Sequence, residues 1–353
     1  MDFQLPDQKW GAGSLEIDAV IAWVDGSDPA HRAKRLAALE ECALGSVQNS
    51  NGLHETRFMD DGEIYYCIAS ILKYAPFIRR IYIVTDSQKP ILIDEFYKYG
   101  ICAKEKIQIV DHSVIFLGYE NALPTFNSLS IETMLWRIPD LSETFMYCND
   151  DFFLNAPITM KDIITEDGKL IIRGKVRSTW PLAIKFHLRK LRYKFTGRTH
   201  IGAHFKTAQV LAARLIGDKR YIQIGHTGHF LRKSTFQKFF SRHPEVLLAQ
   251  IAPKFRSISQ FLPVSLANHL EMKSNSAVIF PELESCYLKP NNYSTSILNQ
   301  ITCGKLQWGC IQSLDEFKSE QIGEIKSVMC NKFLEFLPLN LRGLEQKSMS
   351  AAE

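Results

Sequence analysis

Apolar residues along this chain gather in short runs that stop at acids. Ile17 to Val24 is a β-type run ending at Asp25-Gly26-Ser27-Asp28-Pro29, a tight polar turn, and Ala30 to Leu44 follows with good helix formers. Ile64, Ile68, Ile71 and Leu72 recur at helical spacing, so the pattern predicts a helix over 64–74, with Pro76 beyond its end. A second strand is predicted over Ile78–Asp86 and a third over Lys106–Val110, just before Asp111-His112. Phe145 to Cys148 forms another apolar run, which stops at Asn149-Asp150-Asp151 and resumes with Phe152 and Phe153. Strands that end in acids and alternate with helical sequence predict an α/β domain whose ligand site lies along the strand ends.

Between these elements the polarity changes. Val47 to His54 is rich in Asn, Ser and Gly and predicts a mobile loop, residues 1–14 read as a leader, and Leu314 to Phe336 reads as helical with mixed charge. The last residues, Gly343 to Glu353, are expected to be disordered. The organisation expected is one catalytic domain over 15–335, interrupted by a basic helical insertion at about 160–220, and a tail over 336–353. Inside the insertion, Pro181 to Phe195 puts Ile184, Leu188, Leu191 and Phe195 on one stripe, with Lys185, Arg189, Lys190, Arg192 and Lys194 elsewhere. Such a helix packs its stripe on the core or lies on a membrane surface, and packing is the expectation here.

Adjacent carboxylates at a strand end suit a hard divalent cation, Mg2+ or Mn2+, which takes carboxylate oxygens and keeps positions for water and phosphate. Asp150 and Asp151 are therefore the candidate metal ligands, with an ordinary Asx turn as the competing account of the same residues. The turn at Asp25-Gly26 is no phosphate-binding loop, because GxGxxG and GxxxxGK are both absent. His226 and His229 lie three apart without visible third and fourth metal ligands, so catalysis or phosphate contact fits them better than zinc. Arg256, a planar guanidinium, suits bidentate phosphate binding.

Composition narrows the classes. The 353 residues, 46% hydrophobic and 23% charged, allow a sizeable globular core. No apolar run is long enough to span a bilayer and the N-terminus lacks a signal-peptide layout, which predicts a cytoplasmic protein. Eight cysteines, at 42, 67, 102, 148, 286, 303, 310 and 330, form no C-x-x-C pair and are expected to be reduced. The net charge of +4 hides a local excess. Arg173 to Arg220 holds 13 Lys and Arg against one acid, Asp218, leaving 29 bases and 37 acids elsewhere. The block predicts a polyanionic partner or an anionic membrane surface, and no nucleic-acid-binding signature accompanies it.

The motifs Trp23-Val24-Asp25-Gly26-Ser27-Asp28, Arg57-Phe58 through Tyr74-Ala75-Pro76, Ile81 to Asp86, Leu123-Pro124-Thr125-Phe126-Asn127-Ser128 with Ile131-Glu132, and Asn149-Asp150-Asp151 closely resemble the Stealth proteins. The resemblance continues at His226 to Ser234, at Phe255-Arg256-Ser257 and, more weakly, at Cys310 to Ser313, covering about residues 16–315 in order. It implies a Rossmann-like (GT-A-like) nucleotide-sugar-binding sheet flanked by helices. It further implies transfer of a sugar 1-phosphate from a UDP-sugar to a saccharide hydroxyl, with release of UMP, in capsular polysaccharide synthesis. Glu132, His226, Arg256 and Asp150 would then be catalytic, with Glu132 or His226 as the general base. Trp23, Asp25, Gly26, Arg57, Asp60, Asn127, Asn149 and His229 would bind substrate, and Asp150 and Asp151 the metal. The basic block would hold an anionic saccharide-phosphate acceptor, with peripheral contact to the inner membrane or capsule export machinery as a further expectation. One departure stands out: Gln312-Ser313 replaces the Asn-Asp common in related chains, and the next acid is Asp315. The alternatives are a metal-dependent glycosyltransferase that releases UDP and a non-enzymatic polyanion- or carbohydrate-binding module.

Overall fold

The computed structural model describes residues 15–44, 61–182, 184–185, 188, 191 and 205–342. The expected leader, the loop over 47–54 and the last residues of the tail lie outside them. The strands, in chain order, are β1 (Ile17–Ala22), β2 (Ile78–Thr85), β3 (Ile107–Asp111), β4 (Thr144–Asn149), β5 (Phe152–Leu154) and β6 (Leu170–Arg173). They continue with β7 (Lys175–Ser178), β8 (Arg220–Gln223), β9 (His229–Arg232), β10 (Ala277–Phe280), β11 (Ser285–Leu288) and β12 (Trp308–Ile311).

The main sheet has the order β3-β2-β1-β4-β9. All neighbours in it pair in parallel except β9, which closes the edge antiparallel to β4. Its central strand is apolar along nearly its whole length because both faces are covered: Ile17, Ala19, Val20 and Ile21 are fully buried. Parallel register places Ala22 opposite Val84 on one side and Asn149 on the other, so the ends of β1, β2 and β4 share one edge. Chain order reverses beside β1, which makes the gap between β1 and β4 the place where an open α/β sheet receives a ligand. Helix α1 (Pro29–Leu44) starts where the acid-rich turn predicts: Asp28 Oδ1 accepts from His31 N at 2.7 Å. Helix α2 (Glu63–Tyr74) packs its buried face, Ile64 to Ile71, into the core.

The opposite end of the sheet is locked by a buried acid. Asp18 accepts from Arg79 at 3.0 and 2.8 Å, from Arg80 N at 3.1 Å and from Ser142 N at 2.8 Å, tying β1, β2 and the approach to β4 together. Asp18→Asn removes the charge and half the acceptors while Arg79 keeps some water contact. We expect it to cost about 3 kcal/mol, the low end for breaking a buried pair. Urea denaturation measures this, and a loss under about 1 kcal/mol would show that the lock contributes little.

After Asn149 the chain turns through Asp150-Asp151 and leaves the main sheet, because β5 belongs to a second sheet of order β11-β12-β5. Gly309 on β12 lies flat against Phe153, and a Cβ there would enter the phenyl ring, so only glycine lets these strands approach. Of the insertion at about 160–220, the described residues form strands as well as helix. β6 pairs with β10, β7 pairs with β8, and the helix Phe205–Leu215 turns Ala208, Val210 and Ala212 inward. The expected packing of the Pro181–Phe195 stripe is corrected where it can be seen. Ile184, Leu188 and Leu191 are 42%, 60% and 52% exposed. Leu182 provides the packing instead, against Val210, Ala213 and Tyr221. Arg189, Lys190, Arg192 and Lys194 lie outside the described residues.

Candidate active site

A cleft of about 700 Å³ opens at the shared strand edge, and eight residues singled out from the sequence line it: Trp23, Glu132, Asn149, Asp150, Asp151, His226, His229 and Arg256. They come from β4, β9, a helix and the segments that connect the elements, so the fold gathers what the sequence separates by more than 200 positions.

Glu132 sits on the helix Ser128–Met134 and is 8% exposed. Burial raises its carboxyl to about 7, against the opposing pull of Arg256 and of hydrogen bonds from the Tyr147 and Ser128 hydroxyls. Its Oε2 finds no hydrogen-bond partner among the described residues. A carboxyl poised near neutrality with an unused oxygen in a cleft can take a proton from a substrate. Arg256 reaches the same helix: its Nε donates to Ser128 Oγ at 3.1 Å, and Nη2 donates to that hydroxyl too. The guanidinium is thereby oriented beside Glu132 while it lines the cleft.

Asp151 is fastened to the second sheet. Its backbone O accepts from Ile311 N at 3.0 Å, and its Oδ2 accepts from the Cys310 thiol at 3.4 Å. Burial lifts this carboxyl to about 6 and pushes the Cys310 thiol up, so the sulfur keeps its proton. Asp151 Oδ1 is enclosed and has no partner among the described residues. Beside it Asp150 also lines the cleft. These two carboxylates fit a hard cation of the Mg2+ or Mn2+ kind, which needs few protein oxygens. No group of three or more His, Cys, Asp or Glu side chains gathers as a metal site among the described residues.

His226 is clamped by aromatic rings, stacked on Tyr287 at 4.8 Å and on Phe205 at 5.3 Å, with Phe152 edge-on at 6.3 Å. Burial lowers its pKa, assisted by Lys289, and the ring is neutral at pH 7. His229 is pressed further, to about 4, by burial. The residue between them that permits this fit is Gly228, where a Cβ would strike Trp308 and Cys148 Sγ.

Other expected substrate residues are placed differently. Asn127 is fully buried behind the wall: it caps its helix through Leu129 N at 3.2 Å and donates to Pro253 O and Gln260 Oε1, both at 2.9 Å. It steadies the loop that carries Arg256 and does not line the cleft. Asp25 turns into its own loop, accepting from Ser27 N at 2.8 Å and Ser27 Oγ at 2.6 Å, and neither it nor Gly26 lines the cleft. Arg57 and Asp60 lie outside the described residues. Asp315, with Gln312 and Ser313, does line it.

Sequence reasoning missed Tyr147, whose hydroxyl is shared between the Glu132 carboxyl and Asn149 Oδ1, the latter at 2.8 Å. Inside an apolar strand a tyrosine reads as core, and no sequence signal marked it. Phe205 and Tyr287 were missed because stacking partners carry no motif.

The sheet order and the strand-edge cleft define an open α/β protein with a charged ligand site at its switch point. Comparison with known proteins gives the family. Residues 16–41 match the model described as Stealth protein CR1, conserved region 1, and residues 57–172 match Stealth protein CR2, conserved region 2. A capsular polysaccharide phosphotransferase of Actinobacillus pleuropneumoniae is 31% identical over 285 residues, covering 79% of this chain and 71% of that one. An exopolysaccharide phosphotransferase of Mycobacterium tuberculosis is 29% identical over 287 residues, covering 79% of this chain and 48% of that one. Among solved structures, the apo form of the bifunctional glycosyltransferase WbbM aligns with a TM-score of 0.46 at 9% identity, over 93% of this chain and 53% of that one. The chain belongs to the Stealth family.

Proposed function

We propose that this protein transfers a sugar 1-phosphate from a UDP-sugar to a hydroxyl of a saccharide acceptor, releasing UMP and building the phosphodiester links of a capsular polysaccharide. The names of its phosphotransferase relatives support the class of reaction. The observation that carries the reading is the juxtaposition, in one cleft, of a carboxyl held near pH 7, an oriented guanidinium and a pair of strand-end acids.

In this reading the acceptor oxygen attacks the phosphorus that bears the sugar. A new P–O bond forms, the bond from that phosphorus to the bridging oxygen breaks, and UMP leaves with the bridging oxygen. Glu132 takes the hydroxyl proton, His226 being the competing acceptor. Arg256 offers parallel N–H groups to phosphate oxygens as charge shifts toward the leaving group. Asp150 and Asp151 would hold a divalent cation, which supplies charge neutralisation on the diphosphate. The acceptor, a sugar-phosphate polymer, would lie along the basic stretch from Arg173 to Arg220. Its described part includes the exposed β7 with Lys175 and Arg177 and, across the ribbon, Arg220. No helix among the described residues is long and apolar enough to cross a membrane. The exposed Ile184, Leu188 and Leu191 leave contact with a membrane surface as a second role for the same stretch.

Incubation with UDP-sugars and acceptor, followed by identification of the nucleotide, tests the reading. UMP supports it, UDP points to an ordinary glycosyltransferase, and intact donor removes both. Arg256→Lys is expected to lose nearly as much turnover as Arg256→Ala, since an ammonium cannot reproduce a two-pronged contact. Full activity in the lysine variant would reduce Arg256 to a general positive charge.

A further inference from the structure

The cleft is poorly charged for a polyanionic acceptor. Among the described residues it is lined by the acids Glu63, Glu132, Asp150, Asp151, Asp315 and Glu316 against one Lys or Arg, Arg256. A divalent cation and Arg256 answer the phosphates of a donor, and little positive charge is left for a chain that bears one negative charge per phosphodiester. Such a chain needs its counter-charge elsewhere on the molecule.

A second cavity supplies it. About 580 Å³ in volume, it opens between the helices Lys233–Arg242 and Pro263–Lys273 and the end of the helix Phe205–Leu215. It lies at the far end of the main sheet, since Arg232 in its wall sits opposite Thr144, the first residue of β4, whereas Asp150 and Asp151 follow the last. The length of β4, about 17 Å by strand rise, separates the two places. Arg232, Lys238, Arg242 and Lys273 line this cavity with one acid, Glu271, which is 4% exposed. That acid is engaged inward: Arg232 Nη1 donates to its Oε2 at 2.7 Å, and the Thr235 hydroxyl donates to its Oε1. Lys273 donates to a neutral carbonyl, Ile216 O. Lys238 and Arg242, exposed and one turn apart on their helix, have no acid partner among the described residues. His243 at the rim faces Glu245 at 3.5 Å.

The rest of the lining narrows the kind of anion. Phe239, Val246 and Leu270 are half-buried and give an apolar floor, beside which stand the hydroxyls of Ser274 and Ser276. A small inorganic ion uses none of that floor, and a flat bilayer does not enter a concave groove. A chain of sugars joined by phosphates uses every part, with phosphates on the cations, ring C–H faces on the floor and hydroxyls on the serines. The groove also continues the basic stretch from Arg173 to Arg220, because Leu215 and Ile216 of that stretch form part of its wall.

We propose that this groove is a second, non-catalytic site for an anionic saccharide chain, gripping phosphodiesters of the acceptor well behind the hydroxyl that reacts. The proposal rests on the acceptor reading given above and adds a place on the molecule, and the residues Lys238 and Arg242, that hold the chain.

Fluorescence anisotropy on the whole protein, without donor or divalent cation, tests it with labelled poly(glycerol phosphate), which carries the phosphodiester repeat, and labelled neutral dextran. The charged polymer is expected to bind and dextran not. Lys238→Gln combined with Arg242→Gln should weaken the polymer by about tenfold or more at low salt, the thermal midpoint staying where it was because both side chains are exposed. Failure of the unaltered protein to bind the polymer, equal binding of dextran, or full affinity in the double variant overturns the site. So does a double variant that loses only its binding to phosphatidylglycerol vesicles, which makes the cations a membrane contact. The two readings fail separately, since the assay contains no donor. Polymer held by the groove of a protein that releases no UMP removes the reaction and keeps the site. UMP release by a protein whose double variant binds the polymer undiminished removes the site alone.

Discussion

Glu132→Gln is expected to lower turnover by about 100- to 10,000-fold, the range that a positioned general base contributes. The same substitution should make the protein more stable above neutral pH. Glu132 titrates at about 7 in the folded chain against an ordinary value of 4.5. Between those values the folded state holds a proton that the unfolded state releases, so stability falls as pH rises through the window and the loss is complete above about pH 7. A shift of this size corresponds to a loss on the order of 3 kcal/mol. Glutamine cannot ionise and escapes it. The pH profile separates the two candidate bases. If Glu132 takes the proton, kcat/KM drops on the acid side with a midpoint near 7. If His226 does, the limb lies below 6.5, because burial lowers that imidazole. An active Glu132→Gln variant, or an acid limb unmoved by it, would take the base assignment away from Glu132.

Under the proposed function, Asp150→Asn and Asp151→Asn should keep the fold and cut turnover by about 100-fold or more, because each would remove an anionic cation ligand. A second readout is independent of turnover. Asp151 Oδ1 is enclosed and has no partner among the described residues, so a bound cation would satisfy it and should raise the thermal midpoint of the unaltered protein. Both asparagine variants should show little of that gain. Near-normal turnover of both at limiting magnesium, or an undiminished thermal gain, would return the pair to the role of an Asx turn.

Much of the main sheet was legible because its central strands are covered on both faces and therefore read as largely apolar runs, interrupted near their starts by Asp18 and by Arg79-Arg80. Ile17–Val24 and Ile78–Asp86 each overshoot their strands by only a residue or two. The acids that stop them marked the ligand edge. The second sheet was illegible: β11 and β12 are four residues long, and their pairing with β5 depends on Gly309 lying against Phe153, a contact between distant segments. Glu132 shows the same limit in the site. Its spacing is that of any helix-surface acid, and only the resemblance singled it out. What buries it is the arrival of Arg256 and of β4, which local pattern cannot register. Asn127 errs in the other direction, since a motif residue beside a cleft can serve the wall instead of the ligand.

The turn Asn149–Asp151 is also the joint between two sheets, and β12, which grips Asp151 from outside, runs on into Gln312, Ser313 and Asp315 at the cleft. A ligand held by the acids therefore touches both sheets at once, and occupancy of the cleft and docking of the second sheet become one linked equilibrium. Linkage is reciprocal: whatever free energy the ligand adds to docking, docking adds to the ligand. A methyl group placed on Gly309, out of reach of any substrate atom, would loosen that docking, and its effect would be read as weaker donor affinity.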